Sequence, residues 1–369
     1  MGRFFDFVNT PVRAQGNYAS AMPVMQSGHT RPPLLKLNAN ESPYGPSPNA
    51  IAAMRAALEN SHWYPDDQAT TLRQKLADLH RVRSEQVLVA NGTTALLGII
   101  ARTLLGPGRN AVTSAGSFIS YAMVTRLAGA ALTETPLHCG GYDLDAIREA
   151  IDGDARLIFI ANPDNPTGTL VDARAVDRFV ESMPEQVVLV LDEAYYDYAQ
   201  CFAIERGVEY SHSLDYVRAD RSVVVLRTFS KAHGLAGVRV GYGIGPAELM
   251  GYFARVQDAF AVSSVAQAAA LAALDDEAHT RFAVETNAPL AESLASEVAK
   301  VGYAVNPTWT NFLCIDIRRD AREFARQLRR EGVLVRPLTA WGAPASIRVT
   351  IGTAEQNQQF LRALQTVSA

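Results

Sequence analysis

Lysine is scarce in this chain of 369 residues, which has four lysines against thirty arginines. Cysteine is scarce as well: Cys139, Cys201 and Cys314 lie far apart and form no CxxC pair, which argues against a disulfide framework or a zinc site. We therefore expect reduced thiols and a cytoplasmic location. The seven histidines show no HxH or HExxH spacing, so we expect no metal centre.

Long apolar runs and blocks of one charge are also absent. No run of about eighteen apolar residues occurs, so we expect no membrane span. Asp6 and the lack of an apolar run behind it argue against a signal peptide. A net charge of −4 without a Lys/Arg block argues against nucleic acid or a membrane as partner. With 48% hydrophobic residues, the chain can bury the cores of two or three domains.

Short apolar runs alternate with helical patterns between about residues 86 and 245. The apolar runs are 87–89, 157–160, 187–191 and 223–226, and the helical patterns between them are 93–105, 118–129 and 172–182. Continuous apolar strands separated by helices are typical of an α/β fold, so we expect a mostly parallel central sheet flanked by helices. Ligands of such sheets bind beyond the carboxyl ends of the strands.

The rest of the chain predicts a smaller α+β unit. A long helical region at 247–300 is followed by strands at 312–317, 333–336 and 347–351 and by helices near 320–331 and from about 354. We expect an N-terminal arm at 1–45 that packs on the small domain or a partner subunit. A large domain at 46–275 and a small C-terminal domain at 276–369 complete the prediction.

Polar residues follow each of the predicted strands. Gly92, Thr93 and Thr94 open a helix after the first strand, where free N–H groups can hold a phosphate, although plain helix caps look the same. Asn165 lies in the run Asn-Pro-Asp-Asn-Pro-Thr-Gly, whose prolines fix a rigid turn. Asp192 ends an apolar strand and needs a cation when buried, unless it only caps the next helix.

Lys231 follows the fourth strand in the run Thr228-Phe229-Ser230-Lys231, with Arg239 eight residues on. In a chain that otherwise uses arginine, a retained amine indicates chemistry that a guanidinium cannot perform. A desolvated lysine can lose its proton and form a Schiff base with an aldehyde, whereas a solvated surface lysine is the plain alternative. Near the C-terminus, Arg348 lies within an apolar strand and needs a carboxylate or phosphate, or a structural ion pair.

Together these residues supply a phosphate cradle, an amine for an aldehyde, an acid for a ring N–H and an arginine for a substrate carboxylate. Pyridoxal phosphate requires this set. The chain resembles the fold-type I pyridoxal-phosphate aminotransferases of class I and II, and it is most similar to the histidinol-phosphate aminotransferase family. The resemblance runs from about Leu35 to the C-terminus and rests on the runs 40–46, 64–66, 91–94, 162–168, 192–195 and 228–231 with Arg239 and Arg348.

The resemblance implies catalytic roles for three residues. Lys231 binds the cofactor aldehyde and later moves the substrate proton, while Asp192 keeps the pyridine nitrogen protonated. Tyr195 hydrogen-bonds the ring oxygen together with Asn165, and Phe118 lies over the ring face. Many relatives have a tyrosine at the position of Phe118, so its hydroxyl contact is absent here.

The resemblance also implies how the ligands are held. The cofactor phosphate is bound by Gly92, Thr93, Thr94, Thr228, Ser230 and Arg239. Tyr64 reaches the phosphate of the neighbouring subunit's cofactor, which implies a homodimer with shared active sites. Arg348 binds the substrate carboxylate, with Asn165 and Tyr44 as further substrate-binding residues.

The expected reaction moves an amino group between histidinol phosphate, or an aromatic amino acid, and a 2-oxo acid such as 2-oxoglutarate. Arg13 and Arg336 are candidates for binding a substrate phosphate, but the sequence does not place them. A lyase that decarboxylates an amino-acid phosphate on the same fold is the alternative. A ligand-sensing domain of this fold would need a DNA-binding unit, and no basic helix-turn-helix precedes residue 35.

Overall fold

The structure is a computed structural model that describes residues 5–14, 34–138 and 140–368. Cys139 and most of the predicted N-terminal arm lie outside the described residues. The helices are α1 Thr10–Ala14, α2 Pro48–Leu58, α3 Thr70–His80, α4 Thr93–Leu104, α5 Ser120–Leu127, α6 Leu144–Glu149, α7 Ala173–Ser182, α8 Tyr196–Arg206, α9 Ser213–Arg218, α10 Ala247–Ala254, α11 Ser264–Asp275, α12 Glu277–Lys300, α13 Ala321–Arg330 and α14 Ala354–Ser368. The strands are β1 Leu35–Lys36, β2 Val87–Ala90, β3 Asn110–Ser114, β4 Ala131–Thr135, β5 Ala155–Ala161, β6 Val188–Asp192, β7 Val223–Thr228, β8 Gly241–Ile244, β9 Ala304–Val305, β10 Phe312–Asp316, β11 Val333–Leu334, β12 Arg336–Pro337 and β13 Ser346–Thr350.

Seven strands form the central sheet in the order β2-β8-β7-β6-β5-β3-β4. Only β8 runs against its neighbours, and the other pairs are parallel. The residues of β2, β7 and β8 are all buried, because helices cover both faces of the sheet. The predicted α/β class and mostly parallel sheet are therefore confirmed.

Three strands of this sheet, β3, β4 and β8, could not be predicted from apolar runs in the sequence. Strands β3 and β4 carry Asn, Thr, Ser and Glu among their apolar residues, and β8 is the short run Gly-Tyr-Gly-Ile. Their pairing with buried neighbours makes them strands despite this composition.

The C-terminal part has its own sheet and its own core. Strands β12, β13, β10 and β9 form a four-stranded antiparallel sheet, and α13 and α14 pack against it with apolar residues such as Phe324, Leu328 and Phe360. The prediction of one strand at 333–336 was wrong, because the backbone changes partner within it. Val333–Leu334 pairs with β1 in parallel, whereas Arg336–Pro337 pairs with β13.

Topology places the chemistry-bearing residues at one edge of the large sheet. Strands β5, β6 and β7 are adjacent and parallel, so the loops after Ala161, Asp192 and Thr228 meet at the same edge. Strand β13 of the smaller sheet and the segment between β1 and α2 also reach this edge. Among the described residues, no helix is long and apolar enough to cross a membrane.

Candidate active site

A cavity of about 190 Å³ lies at the carboxyl ends of β5, β6 and β7. The predicted site residues that line it are Thr93, Thr94, Phe118, Asn165, Asp192, Tyr195, Thr228, Ser230, Lys231, Arg239 and Arg348. Residues 94 and 348 are more than two hundred positions apart, so the fold and not local sequence brings them together. A larger cavity of about 1020 Å³, lined by Glu193 and Arg227 among others, shares only Thr228 with the predicted site.

Lys231 is the reactive amine of this cavity. Burial lowers the pKa of Lys231 to about 7, and the nearby guanidinium of Arg348 adds to this effect. Its Nζ donates hydrogen bonds to the carbonyl oxygens of Ala39 and Asn40, each at 3.3 Å. A substantial neutral fraction of this amine therefore exists near pH 7, as nucleophilic attack on an aldehyde requires.

Asp192 is the buried acid of the cavity and the last residue of β6. Burial raises the pKa of Asp192 to about 6, while hydrogen bonds from the Tyr121 hydroxyl at 3.0 Å and the Ala194 N–H at 3.2 Å offset part of that rise. A carboxylate in this setting favours a cationic partner within the cavity.

Tyr121 was not predicted as a site residue. It is fully buried on α5, stacks on Phe159 at 4.7 Å between ring centroids and directs its hydroxyl to Asp192. Its ring also meets Phe118 edge to face at 5.6 Å. The helical pattern at 118–129 contained Tyr121, but nothing in the sequence distinguished its polar end from an ordinary core tyrosine.

We expect Tyr121→Phe to raise the pKa of Asp192, because the lost hydrogen bond favours the carboxylate. A hydrogen bond to a charged group contributes about 1.5–3 kcal/mol, so kcat/KM should fall by about 10-fold or more. The acidic limb of the pH–rate profile should move to higher pH. Tyr142→Phe is the matched control, since its buried hydroxyl bonds Ser117 and the Ala161 N–H instead of Asp192. An unchanged acidic limb in Tyr121→Phe would contradict this role.

The start of α4 forms an anion cradle. Gly92 has φ +82, and a Cβ placed there would lie 2.7 Å from the guanidinium nitrogen Nη2 of Arg239. Arg239 also donates to the Ser230 hydroxyl at 3.3 Å, and the Ser230 N–H donates to the Thr228 hydroxyl at 3.1 Å. A glycine is thus required for the guanidinium to approach the helix N-terminus, where backbone N–H groups attract an anion.

Asn165 and Tyr195 are oriented by their neighbours. The side-chain carbonyl of Asn165 accepts a hydrogen bond from Arg348, so its amide nitrogen is the end that can donate to a ligand. The Tyr195 hydroxyl accepts a hydrogen bond from the Asn40 side chain at 2.8 Å and carries its own proton to donate. Both residues can therefore donate to one acceptor oxygen in the cavity.

Arg336 and Trp341 complete the wall beside Arg348. Arg336 and Arg348 face each other across β12 and β13, and both donate to the backbone oxygen of Asn38 at 3.3 Å. The guanidinium carbon of each lies 6.0 Å from the Trp341 ring. The sequence offered Arg336 as a candidate without placing it, and it gave no signal for Trp341.

Three named residues lie away from this cavity. Tyr64 is 81% exposed and stacks on Phe260, and Tyr44 packs edge to face on Phe282 of α12. Arg13, the other candidate for a substrate phosphate, pairs with Asp6 at 4.0 Å near the N-terminus. Tyr64 and Tyr44 keep their roles as predictions that a single chain does not test. Among the described residues, no cluster of His, Cys, Asp and Glu could hold a metal ion.

The fold and this site define a fold-type I pyridoxal-phosphate enzyme: a parallel sheet whose strand ends bring a buried amine, a buried acid and a helix-terminal anion cradle into one cavity. Residues 32–364 match the family model described as aminotransferase class I and II. The chain belongs to this family and, within it, to the histidinol-phosphate aminotransferases. Membership confirms the predicted enzyme class, fold and cofactor.

Several relatives show how close the similarity is. The histidinol-phosphate aminotransferase of Moorella thermoacetica is 41% identical over 337 residues, or 91% of this chain and 86% of that protein. Histidinol-phosphate aminotransferase 2 of Pseudomonas aeruginosa is 41% identical over 336 residues, covering 91% of this chain and 89% of that protein.

Solved structures agree with this assignment. The histidinol-phosphate aminotransferase from Sinorhizobium meliloti, in complex with pyridoxal-5'-phosphate, superposes with a TM-score of 0.84 at 28% identity over 95% of this chain and 98% of that one. An L-threonine-O-3-phosphate decarboxylase from Porphyromonas gingivalis, at 24% identity and TM-score 0.80 over 90% of this chain and 99% of that one, shares the fold. At this identity the likeness shows the shared fold alone.

Proposed function

We propose that this aminotransferase takes the amino group of histidinol phosphate and passes it to a 2-oxo acid such as 2-oxoglutarate. The observation that carries the choice of donor is the pair of buried guanidinium groups, Arg336 and Arg348, on adjacent strands in the wall of the cavity that holds Lys231. Two planar guanidinium groups suit a phosphate, which offers more oxygens and more charge than a carboxylate. The names of the 41% identical relatives support the same donor.

The cavity fits pyridoxal phosphate on three observations. The glycine-dependent cradle of Gly92 and Arg239, with the hydroxyls of Thr93, Thr94, Thr228 and Ser230, suits the phosphate group. The buried carboxyl of Asp192 suits a ring N–H⁺, and the half-neutral amine of Lys231 suits the aldehyde. Asn165 and Tyr195 would donate to the ring oxygen, and Phe118 would cover the ring face.

When bound, pyridoxal phosphate supplies an electron sink for the bond that breaks at the substrate carbon. The chain's own residues then have distinct tasks. Asp192 holds a negative charge at the end of β6, which stabilises positive charge on the ring nitrogen. The Lys231 nitrogen accepts a proton and returns it, which its pKa of about 7 allows near neutral pH. Arg348 and Arg336 hold the anionic group of the donor in the cavity wall.

Absorbance spectroscopy with a screen of amino donors tests the proposal. The purified holoenzyme should be yellow, and histidinol phosphate should discharge that colour while its oxo product is formed. Aromatic amino acids are the competing donors. Release of carbon dioxide from an amino-acid phosphate, which carries the carboxylate that histidinol phosphate lacks, would identify the lyase alternative instead.

Arg336→Gln separates the competing donors. One charged hydrogen bond contributes about 1.5–3 kcal/mol, so kcat/KM for histidinol phosphate should fall by about 10- to 100-fold. An aromatic amino acid, whose carboxylate Arg348 alone can hold, should lose much less. Equal losses for both donors would contradict the assignment of histidinol phosphate while leaving amino transfer intact.

A homodimer with shared active sites is part of the proposal. Leu58, Trp63, Tyr64 and Phe260 are exposed apolar side chains, with Trp63 66% and Tyr64 81% exposed, and such a surface favours a protein partner. Tyr64 would reach the cofactor phosphate of the other subunit. The division into an arm at 1–45, a large domain at 46–275 and a small domain at 276–369 is likewise proposed. The seven-stranded and four-stranded sheets, each packed on its own apolar core, support it.

Mixing two inactive variants tests the shared site. In a hybrid of Lys231→Ala and Tyr64→Ala subunits, one of the two sites combines an intact Lys231 with an intact Tyr64. After random exchange, about a quarter of all sites should therefore be intact, and activity should return to that level. Mixing Lys231→Ala with Asp192→Asn is the control, because both residues belong to the same subunit's site, so neither site of that hybrid is intact and no activity should return. No recovery in the mixture of Lys231→Ala and Tyr64→Ala, as in the control, would exclude a role for Tyr64 across the interface.

A cytoplasmic location also belongs to the proposal. Cys201 and Cys314 are free thiols in the described part of the chain, which suits a reducing compartment.

A further inference from the structure

Asn40 makes hydrogen bonds to residues at the large sheet, including Lys231, and to residues of the C-terminal part of the chain. It is buried between β1 and α2 and has a left-handed backbone with φ +57. Its backbone oxygen accepts from Lys231 Nζ at 3.3 Å and from Asn311 Nδ2 at 3.0 Å. Its side-chain amide donates to the Tyr195 hydroxyl at 2.8 Å, and its backbone N–H donates to the Thr350 hydroxyl at 2.9 Å.

The left-handed turn explains how two successive carbonyls reach one nitrogen. In an extended strand, successive carbonyl groups point to opposite sides. Here the carbonyl oxygens of Ala39 and Asn40 both lie 3.3 Å from Lys231 Nζ. Asparagine tolerates the required positive φ far better than a β-branched residue does.

Two fixed acceptors restrict the orientation of the amine. A neutral amine has two hydrogens and one lone pair in tetrahedral directions. If both hydrogens point to the two carbonyls, the lone pair occupies a remaining direction. The Lys231 side chain lines the cavity, so this orientation makes the lone pair available to a proton there. After the nitrogen takes up a proton, the same two carbonyls stabilise the resulting ammonium.

We propose that Asn40 is a positioning residue, whose left-handed turn holds the Lys231 amine in the orientation that exchanges a proton with the substrate. This inference rests on the proposed aminotransferase function. The Lys231 amine can make these two hydrogen bonds whenever it is not covalently bound. It acts as the base in that same state.

Thr350 connects this arrangement to the donor-binding strand. Thr350 and Arg348 lie two positions apart on β13, so their side chains share one face. Thr350 fixes Asn40 by accepting from its N–H and by donating to its side-chain oxygen at 3.4 Å. The strand that holds the donor's anionic group therefore also holds the turn that orients the amine.

A pair of substitutions separates the turn from the side chain. Asn40→Gly keeps the positive φ accessible and should leave both carbonyls in place, although the side-chain contacts with Tyr195 and Thr350 are lost. Asn40→Val loses the same two contacts but strongly disfavours the positive φ. Only the valine variant should therefore displace the two carbonyls from Lys231.

Lysine NMR gives a readout that is independent of turnover. The chain has four lysines, so ¹³Cε-lysine labelling of the full-length protein freed of cofactor gives four titration curves, and Lys231→Arg identifies the relevant one. Loss of acceptors disfavours the ammonium, so the pKa of Lys231 should fall by about one unit or more in Asn40→Val and by much less in Asn40→Gly. Arg348, Glu41, Arg239 and Asp192 also act on this amine, and neither variant changes them.

The substrate isotope effect provides the second readout. In Asn40→Val, kcat should fall by about 10- to 100-fold with a smaller change in KM, and the primary effect of deuterium on the reacting carbon should increase because proton transfer becomes slower. Asn40→Gly should show a smaller loss and a smaller increase. A structural role alone would lower both variants' yield or stability without moving the isotope effect.

The proposal would be overturned if the pKa of Lys231 were the same in the parent protein and in Asn40→Val. It would also be overturned if that pKa shifted by the same amount in Asn40→Gly as in Asn40→Val. If Asn40→Val does not fold, Thr350→Val takes its place, since it removes both hydrogen bonds between Thr350 and the turn. It should lower the pKa of Lys231 in the same direction, whereas Thr353→Val, outside the cavity, should not. An unmoved titration in Thr350→Val would then overturn the proposal. Failure of the proposed function would appear differently, as a parent holoenzyme that gives no amino transfer from histidinol phosphate while the Lys231 titration still shifts in Asn40→Val.

Discussion

Lys231→Ala is expected to abolish turnover, with kcat falling by at least about 10⁴-fold. The variant loses both the nucleophile for the aldehyde and the group that moves the substrate proton. It should still bind pyridoxal phosphate in part, because the cradle around Gly92 and Arg239 and the carboxyl of Asp192 remain. Steady-state kinetics and equilibrium titration with the cofactor measure the two effects separately.

Lys231→Arg is the matched control for charge. It keeps a cation that can donate to the carbonyls of Ala39 and Asn40, but a guanidinium does not lose its proton in a protein. We therefore expect it to be as inactive as the alanine variant. Turnover within about 10-fold of the parent in either variant would remove Lys231 from its catalytic role.

The polar residues at strand ends were predictable because the carboxyl ends of parallel strands meet at one edge of a sheet. Once β5, β6 and β7 were expected to be parallel, Asn165, Asp192 and Lys231 had to converge. The structure places all three in the wall of one cavity. Such inference needs only the order of the elements and the residues that follow each strand.

Tyr121, Asn40 and Trp341 were beyond that kind of inference. The hydroxyl of Tyr121 reaches Asp192 because of how α5 packs on the sheet, and a helical pattern does not encode that distance. The sign of φ at Asn40 and its contacts with Tyr195 cannot be read from its neighbours in sequence. Trp341 becomes a wall of the cavity only because β12 pairs with β13 rather than continuing β11.

Asp192→Asn should have opposite effects on activity and on stability. Loss of the charge that pairs with the ring nitrogen leaves that nitrogen without a partner, which costs about 3–5 kcal/mol, so kcat should fall by about 10²- to 10⁴-fold. Asparagine has nearly the same shape, and Asp192→Glu, which keeps the charge on a longer side chain, is the control. We expect weaker cofactor binding in Asp192→Asn, measured by titration of the protein freed of cofactor.

Without cofactor, the same substitution should stabilise the protein at neutral pH. Burial raises the pKa of Asp192 from 3.8 to about 6, so the folded state holds this proton more tightly than the unfolded chain does. The carboxylate therefore costs stability above about pH 6, and this cost disappears as the pH falls below about 4. The melting temperature of Asp192→Asn should exceed that of the parent at pH 7 to 8, with the difference vanishing in acid. A lower melting temperature of Asp192→Asn both at pH 7 to 8 and in acid would show instead that Asp192 stabilises the fold. A carboxylate that serves a cationic ligand destabilises the protein when that ligand is absent.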